Sequence, residues 1–179
     1  MTLYLVRHPI PDYTEGYCYG RMELPVTDIE MLRTLAAVRL QITPSTCAGA
    51  EIYSSPSLRC LKFAEALALP RQPRVVEQLL EMSFGDWEGK CWDSIERQEI
   101  DAWAADVWGY RPGGGESADM VAARWNFWFQ AVRATTNDVI AITHAGVIRV
   151  ALALAGCAPG SSLLDAEIPF GSVWRITNG

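Results

Sequence analysis

Residues 2–6, TLYLV, form a nearly continuous run of strand-forming apolar residues. Such a run predicts a strand buried on both faces, as in a parallel sheet. DVIAIT at 138–143 has the same character; AEIYSS at 50–55 and GSVWRIT at 171–177 predict a shorter strand and a final one. The segments between them repeat at helical spacing. In 26–43, Thr27 and Glu30 make a capping-box pattern, and Ile29, Leu32, Ala36 and Leu40 mark the expected core face. In 55–69, Ser55 is placed as N-cap and Pro56 at the first helical position, and Pro70 and Pro73 terminate the helix. Residues 74–82 read as strand or loop. Helices are predicted over 92–108, over 117–136 with Val121, Trp125, Phe129 and Val132 on one face, and over 144–156. RPGGGES at 111–117 is a glycine-rich loop between two of them. The alternation of strands and helices predicts one α/β domain with a mostly parallel sheet.

The polar residues fall where such a fold binds ligands, beyond the carboxyl ends of its strands. The first strand ends in Arg7 and His8, the second in Ser54 and Ser55 with Arg59 soon after, and DVIAIT in His144. The chain has two histidines, and both stand just past a buried strand. One histidine beside an apolar run is usually a satisfied core residue; two of two at strand ends mark a candidate active site. Two arginines and two histidines can surround a phosphate, since guanidinium pairs its N–H groups with phosphate oxygens. Helix N-termini after Ser55 and His144 add amides, and histidine can carry a phosphoryl group covalently. The histidines lack metal-site spacing, and no P-loop or dinucleotide fingerprint is present. Taken alone, Glu81 reads as a loop carboxylate and Arg59 as a surface residue of its helix. The tryptophans between Trp87 and Trp128 read as packing, and Glu116 as a charge favouring the next helix.

Composition narrows the setting. Fifteen basic against twenty-one acidic residues give a net charge of −6, which weighs against nucleic acid but not against a small anion in a local basic pocket. The five cysteines form no CxxC pair, so they are expected to be reduced and mostly buried. No apolar run is long enough to span a membrane and no export signal is expected, so a cytoplasmic setting is the natural reading.

Several segments, in order, resemble the histidine phosphatase family, the phosphoglycerate-mutase-like superfamily. LYLVRHP resembles its RHG signature and YSSPSLRCLKFAEAL its serine-then-arginine helix. EMSFGDWEG, PGGGES, THAGVIRV and IPFGSVWRI resemble the remaining family segments. The resemblance implies a three-layer α/β/α sandwich over residues 1–179. It implies His8 as the nucleophile, Arg7 and Arg59 as the phosphate clamp, and His144 completing the pocket. Glu81 would give a proton to the leaving oxygen and later take one from water. Cofactor and metal are then unnecessary, because arginines and His144 supply the positive charge. Two positions depart from the pattern: Pro9 stands for the signature glycine and Ala145 for the glycine often found after the second histidine. GYCYGRMELPVTD resembles the corresponding segment of short members that act as α-ribazole-5′-phosphate phosphatases. That resemblance implies substrate contacts from Tyr19 and Arg21, beside Arg7, Arg59, His144 and Ala145. The same residues also suit a broad-specificity or phosphosugar phosphatase, or a binding protein without turnover. The sequence does not show whether 87–108 forms a lid; an aromatic-lined one, with Trp92 or Trp108, would suit a benzimidazole-like group.

Overall fold

A computed structural model describes residues 1–12, 15–68, 70–157 and 162–177. In chain order, β1 (Thr2–Arg7) is followed by α1 (Asp28–Arg39), α2 (Pro44–Gly49), β2 (Glu51–Ser54) and α3 (Leu58–Ala68). Then come β3 (Arg74–Val75), α4 (Arg97–Ala105), α5 (Ala118–Val132), β4 (Val139–Thr143), α6 (Ala145–Leu154) and β5 (Val173–Thr177). The sheet order is β3-β2-β4-β1-β5. All neighbours are parallel except β1 and β5, so the chain's last described strand closes the sheet antiparallel to its first.

Strand periodicity builds the layers. Leu3, Leu5, Tyr53, Val139 and Ala141 face α5 and α6, while Val6, Ile52, Ile140 and Ile142 face α1, α2 and α3. This is the expected three-layer α/β/α sandwich with a mostly parallel sheet. Burial on both faces explains why β1 and β4 read as unbroken apolar runs.

Four sequence expectations change. The face of α1 expected to be core points to solvent: Ile29, Leu32 and Leu40 are 70%, 67% and 88% exposed. The helix instead buries Thr34 and Val38, with Met31 and Leu35 packed beside them. Both stripes have helical period, and only the sheet selects between them. Half of the capping box forms: Thr27 Oγ1 accepts from the Glu30 amide at 3.3 Å, but the Glu30 carboxylate pairs with Arg33. The helix expected from Ser55 starts at Leu58, with the amides of Cys60 and Leu61 donating to the Ser57 carbonyl. Its expected last residue, Leu69, lies outside the described residues. The helix expected over 92–108 is a short 3₁₀ turn, Trp92–Ser94, and then α4, because Ile95 and Trp92 turn into an aromatic cluster around buried Trp87. The face of α5 carrying Val121, Trp125, Phe129 and Val132 packs on the sheet as expected, with Trp128 beside it.

Candidate active site

Strand order places the chemistry. β2, β4 and β1 are consecutive in the sheet, so their carboxyl ends lie side by side. Backbone ladders run one residue past the strands: the His8 amide donates to Thr143 O at 3.1 Å and the Ser55 amide to Ile142 O at 3.0 Å. His8, Ser55 and His144 are thereby fixed as neighbours, and the two imidazole centroids are 5.0 Å apart.

Arg59 organises both rings. It is fully buried on the first turn of α3, the opposite of a surface arginine. Its Nη1 and Nη2 donate to Met22 O and Gly20 O, each at 2.7 Å. Nε lies 3.3 Å from His8 Nε2, and Nη2 lies 3.3 Å from His144 Nδ1. A guanidinium only donates, so both of these ring nitrogens accept. The other ring nitrogens then carry the protons: His8 Nδ1 donates to Pro9 O at 2.7 Å, and His144 Nε2 donates to Ser55 Oγ at 2.9 Å. Both imidazoles are neutral. Burial holds each well below the ordinary histidine value, and Arg59 pushes both further down; for His144 the His8 ring adds to this. Ser55 is therefore not the N-cap of α3; its hydroxyl accepts the Nε2 proton of the His144 tautomer that Arg59 sets.

Arg7 completes the basic wall. Its guanidinium lies 3.5 Å over the Phe170 ring and donates to Ile168 O. Burial lowers its basicity, opposed by Tyr19 and Glu81 close by. Arg7 Nε is buried and finds no acceptor among the described residues, an unmet donor of the kind a phosphate oxygen satisfies. Tyr19 joins this wall: it stands close enough to Arg7 to oppose the loss of that residue's basicity, and Arg59 sits 5.6 Å from its ring centre.

Glu81 reaches the same place from the loop after β3. Its carboxylate accepts from its neighbour Met82 N at 2.9 Å and from Gly146 N, on the first turn of α6, at 3.2 Å. A Cβ at position 146 would come within 2.4 Å of Glu81 Oε1, so the glycine makes room for the carboxylate. Ala145, by contrast, is accommodated as the buried first residue of α6.

A network that the sequence did not disclose holds the Glu81 backbone. Arg21 Nε and Arg124 Nη2 both donate to the Glu81 carbonyl, at 3.1 and 3.2 Å. Both arginines also pair with Glu116, at 2.9 and 3.2 Å, and Glu116 accepts from Ser83 N. Arg21 and Glu116 thus meet directly, beside the backbone of Glu81. The glycines before Glu116 let its loop press against residues 83–87: a Cβ on Gly115 would lie 2.1 Å from Ser83 O. The signal in the sequence was the GGES string, whose close backbone approach needs glycine.

Pro9 costs the site nothing visible, because the contact made there uses its carbonyl and not the amide that proline lacks. Trp103 and Trp92 stack with an interplanar angle of 7°. Trp103 borders a recess next to Glu81, while neither Trp92 nor Trp108 lines it. Cys18, Cys47 and Cys60 are buried, Cys157 is exposed, and burial pushes the Cys60 thiol up. Among the described residues no cluster of three His, Cys, Asp or Glu could hold a metal ion, and no helix is long and apolar enough to cross a membrane.

The family model of the histidine phosphatase superfamily, branch 1, matches residues 3–178. The chain is 28% identical over 159 residues to a candidate phosphoserine phosphatase 2 of Hydrogenobacter thermophilus, covering 85% of this chain and 77% of that protein. Phosphoglycerate mutase from Thermus thermophilus superposes with a TM-score of 0.74 at 25% identity, over 98% of this chain and 92% of that one. A mycobacterial glucosyl-3-phosphoglycerate phosphatase in complex with VO3 gives 0.80 at 22% identity, over 98% and 92%, a likeness of fold.

Proposed function

The chain belongs to the histidine phosphatase superfamily, and on that premise we propose that it is a metal-independent phosphomonoesterase working through a phosphohistidine at His8. One observation carries the reading: His8 Nδ1–H is held by Pro9 O, which leaves the Nε2 lone pair exposed to the guanidinium of Arg59. That is a neutral nucleophile facing the residue that would clamp a phosphate.

In the first step His8 Nε2 forms a bond to phosphorus as the ester P–O bond breaks. Glu81 gives its proton to the departing alkoxide oxygen. Arg7, Arg59 and a proton-accepting His144 balance the charge on the transferring group. In the second step water attacks the phosphohistidine and Glu81, now a carboxylate, takes its proton. Phosphate leaves and His8 is neutral again. The dianionic substrate supplies a counter-charge to His144, so binding favours its protonated form.

The finer reading is α-ribazole-5′-phosphate as substrate. It is supported by the GYCYGRMELPVTD segment, which delivers Tyr19 to the arginines, and by an aromatic wall near Glu81. The relative named as a candidate phosphoserine phosphatase supports hydrolysis of a small monoester more generally. The experiment is phosphate release from α-ribazole-5′-phosphate, 3-phosphoglycerate, a nucleoside monophosphate and p-nitrophenyl phosphate, with His8→Ala in parallel. A specificity constant for α-ribazole phosphate higher by orders of magnitude, lost in the variant, is the expected result. Slow and similar rates on all four reject that substrate while keeping the phosphatase. Wild type as inert as His8→Ala on every ester rejects the enzyme and favours a binding role.

A further inference from the structure

Glu81 and Gly146 border more than the basic wall. They also line a recess of about 70 Å³ between α4, α5 and α6. Its remaining walls are apolar, Phe84, Trp103 and Leu164 among them, with one exception: Arg149. Arg149 Nε donates to Ala166 O at 2.8 Å. No carboxylate lies within ion-pair distance of it among the described residues. It stands close enough to Arg7 to lower that residue's basicity. An apolar recess beside the proton donor thus carries one guanidinium with no carboxylate partner among the described residues.

We propose that this recess is the leaving-group subsite, taking the apolar part of a phosphomonoester's alcohol while Arg149 meets an acceptor on it. The inference rests on the phosphatase reading above and deepens it. The logic is positional. The group that protonates the leaving oxygen must touch that oxygen, so whatever the oxygen carries continues into the space Glu81 borders. The apolar walls favour carbon there, and an uncompensated guanidinium favours an acceptor, best a carboxylate.

Methyl, ethyl and n-propyl phosphate have leaving groups of closely similar basicity, so differences among them report on binding of the chain. The test measures kcat/KM for these three and for 3-phosphonooxypropanoate, in wild type, Leu164→Glu, Leu164→Ala and Arg149→Met. Leu164 is 37% exposed, so its variants do not depend on core repacking. Expected for wild type is a rise of about fourfold per methylene and preference for the carboxylated ester over n-propyl phosphate. Leu164→Glu flattens the rise, Leu164→Ala weakens it, and Arg149→Met reverses the carboxylate preference. Phosphohistidine is trapped by rapid base quench and read at His8 by mass spectrometry. A flat chain-length profile in a protein that still forms phosphohistidine overturns the subsite alone. So does a rise that none of the variants alters. Absence of both phosphohistidine and phosphate release overturns the phosphatase reading and the subsite with it.

Discussion

The Pro9 carbonyl lies 2.7 Å from His8 Nδ1 and decides which nitrogen of that ring keeps its lone pair. The residue that departs most visibly from the RHG signature thus acts through its main chain. Pro9→Gly keeps the carbonyl and adds only backbone freedom, worth roughly 0.4–1 kcal/mol. Activity of this variant is expected within about fivefold of wild type, the same energy read as a rate. A loss of two orders of magnitude in steady-state kinetics would show that proline rigidity itself sets the nucleophile.

Glu116 ties Arg21 and Arg124 to the Glu81 carbonyl. Glu116→Gln is expected to misplace Glu81, the proposed proton donor. Alkyl phosphates, which need protonation of the leaving oxygen, should slow by about tenfold. 2,4-Dinitrophenyl phosphate, whose leaving group departs unprotonated, should change little. Equal losses on both substrates would mean that the substitution damages the fold rather than the placement of Glu81.

Gly146 has helical backbone on the first turn of α6, so alanine there suits the helix and would favour it by up to about 1 kcal/mol. The same methyl would meet Glu81 Oε1 at 2.4 Å. Gly146→Ala is therefore expected to unfold no more easily in urea while losing activity on alkyl phosphates. Unchanged turnover would indicate that Glu81 acts from another rotamer.

Both histidines are buried and held well below their ordinary value of 6.5. The unfolded chain takes up protons below about pH 6.5 that the folded chain refuses, so stability falls as pH falls through that value. The effect is complete above it. Each histidine contributes a slope of about 1.4 kcal/mol per pH unit in that window. Urea denaturation near pH 7.5, 6 and 5 is expected to show the slope, reduced by one histidine's share in His144→Gln. An unchanged slope in the variant would mean that His144 is protonated in the folded state.

Ile29 and Leu32 carry the periodicity that a reader of the sequence would bury, but they face solvent. Ile29→Lys with Leu32→Lys is expected to change stability by less than about 1 kcal/mol in all, as surface substitutions do. Val38→Ala, in the buried row of the same helix, should cost more than the pair together. Thermal unfolding of the three proteins decides it.

The sequence by itself determined four of the five strands, most helices and the four residues at the centre of the site. Arg7, His8, Arg59 and His144 follow strand ends, or the helix entered from one, and strand ends are written locally: an apolar run stops where a polar residue begins. Their meeting was decided by the order β2-β4-β1, which no single segment encodes. Tertiary structure also chose which stripe of α1 is buried, because hydrophobic spacing fixes a helix but not the partner it turns towards. It gave Ser55 to a histidine ring instead of a helix cap, since a hydroxyl serves whichever unmet group comes nearest. It joined Arg21, Glu116 and Arg124, separated by up to about a hundred residues of chain, around the backbone of Glu81. Those bonds depend on distances between loops. Distances between loops are set by the packing of the whole molecule, and residue identity along the chain does not contain them.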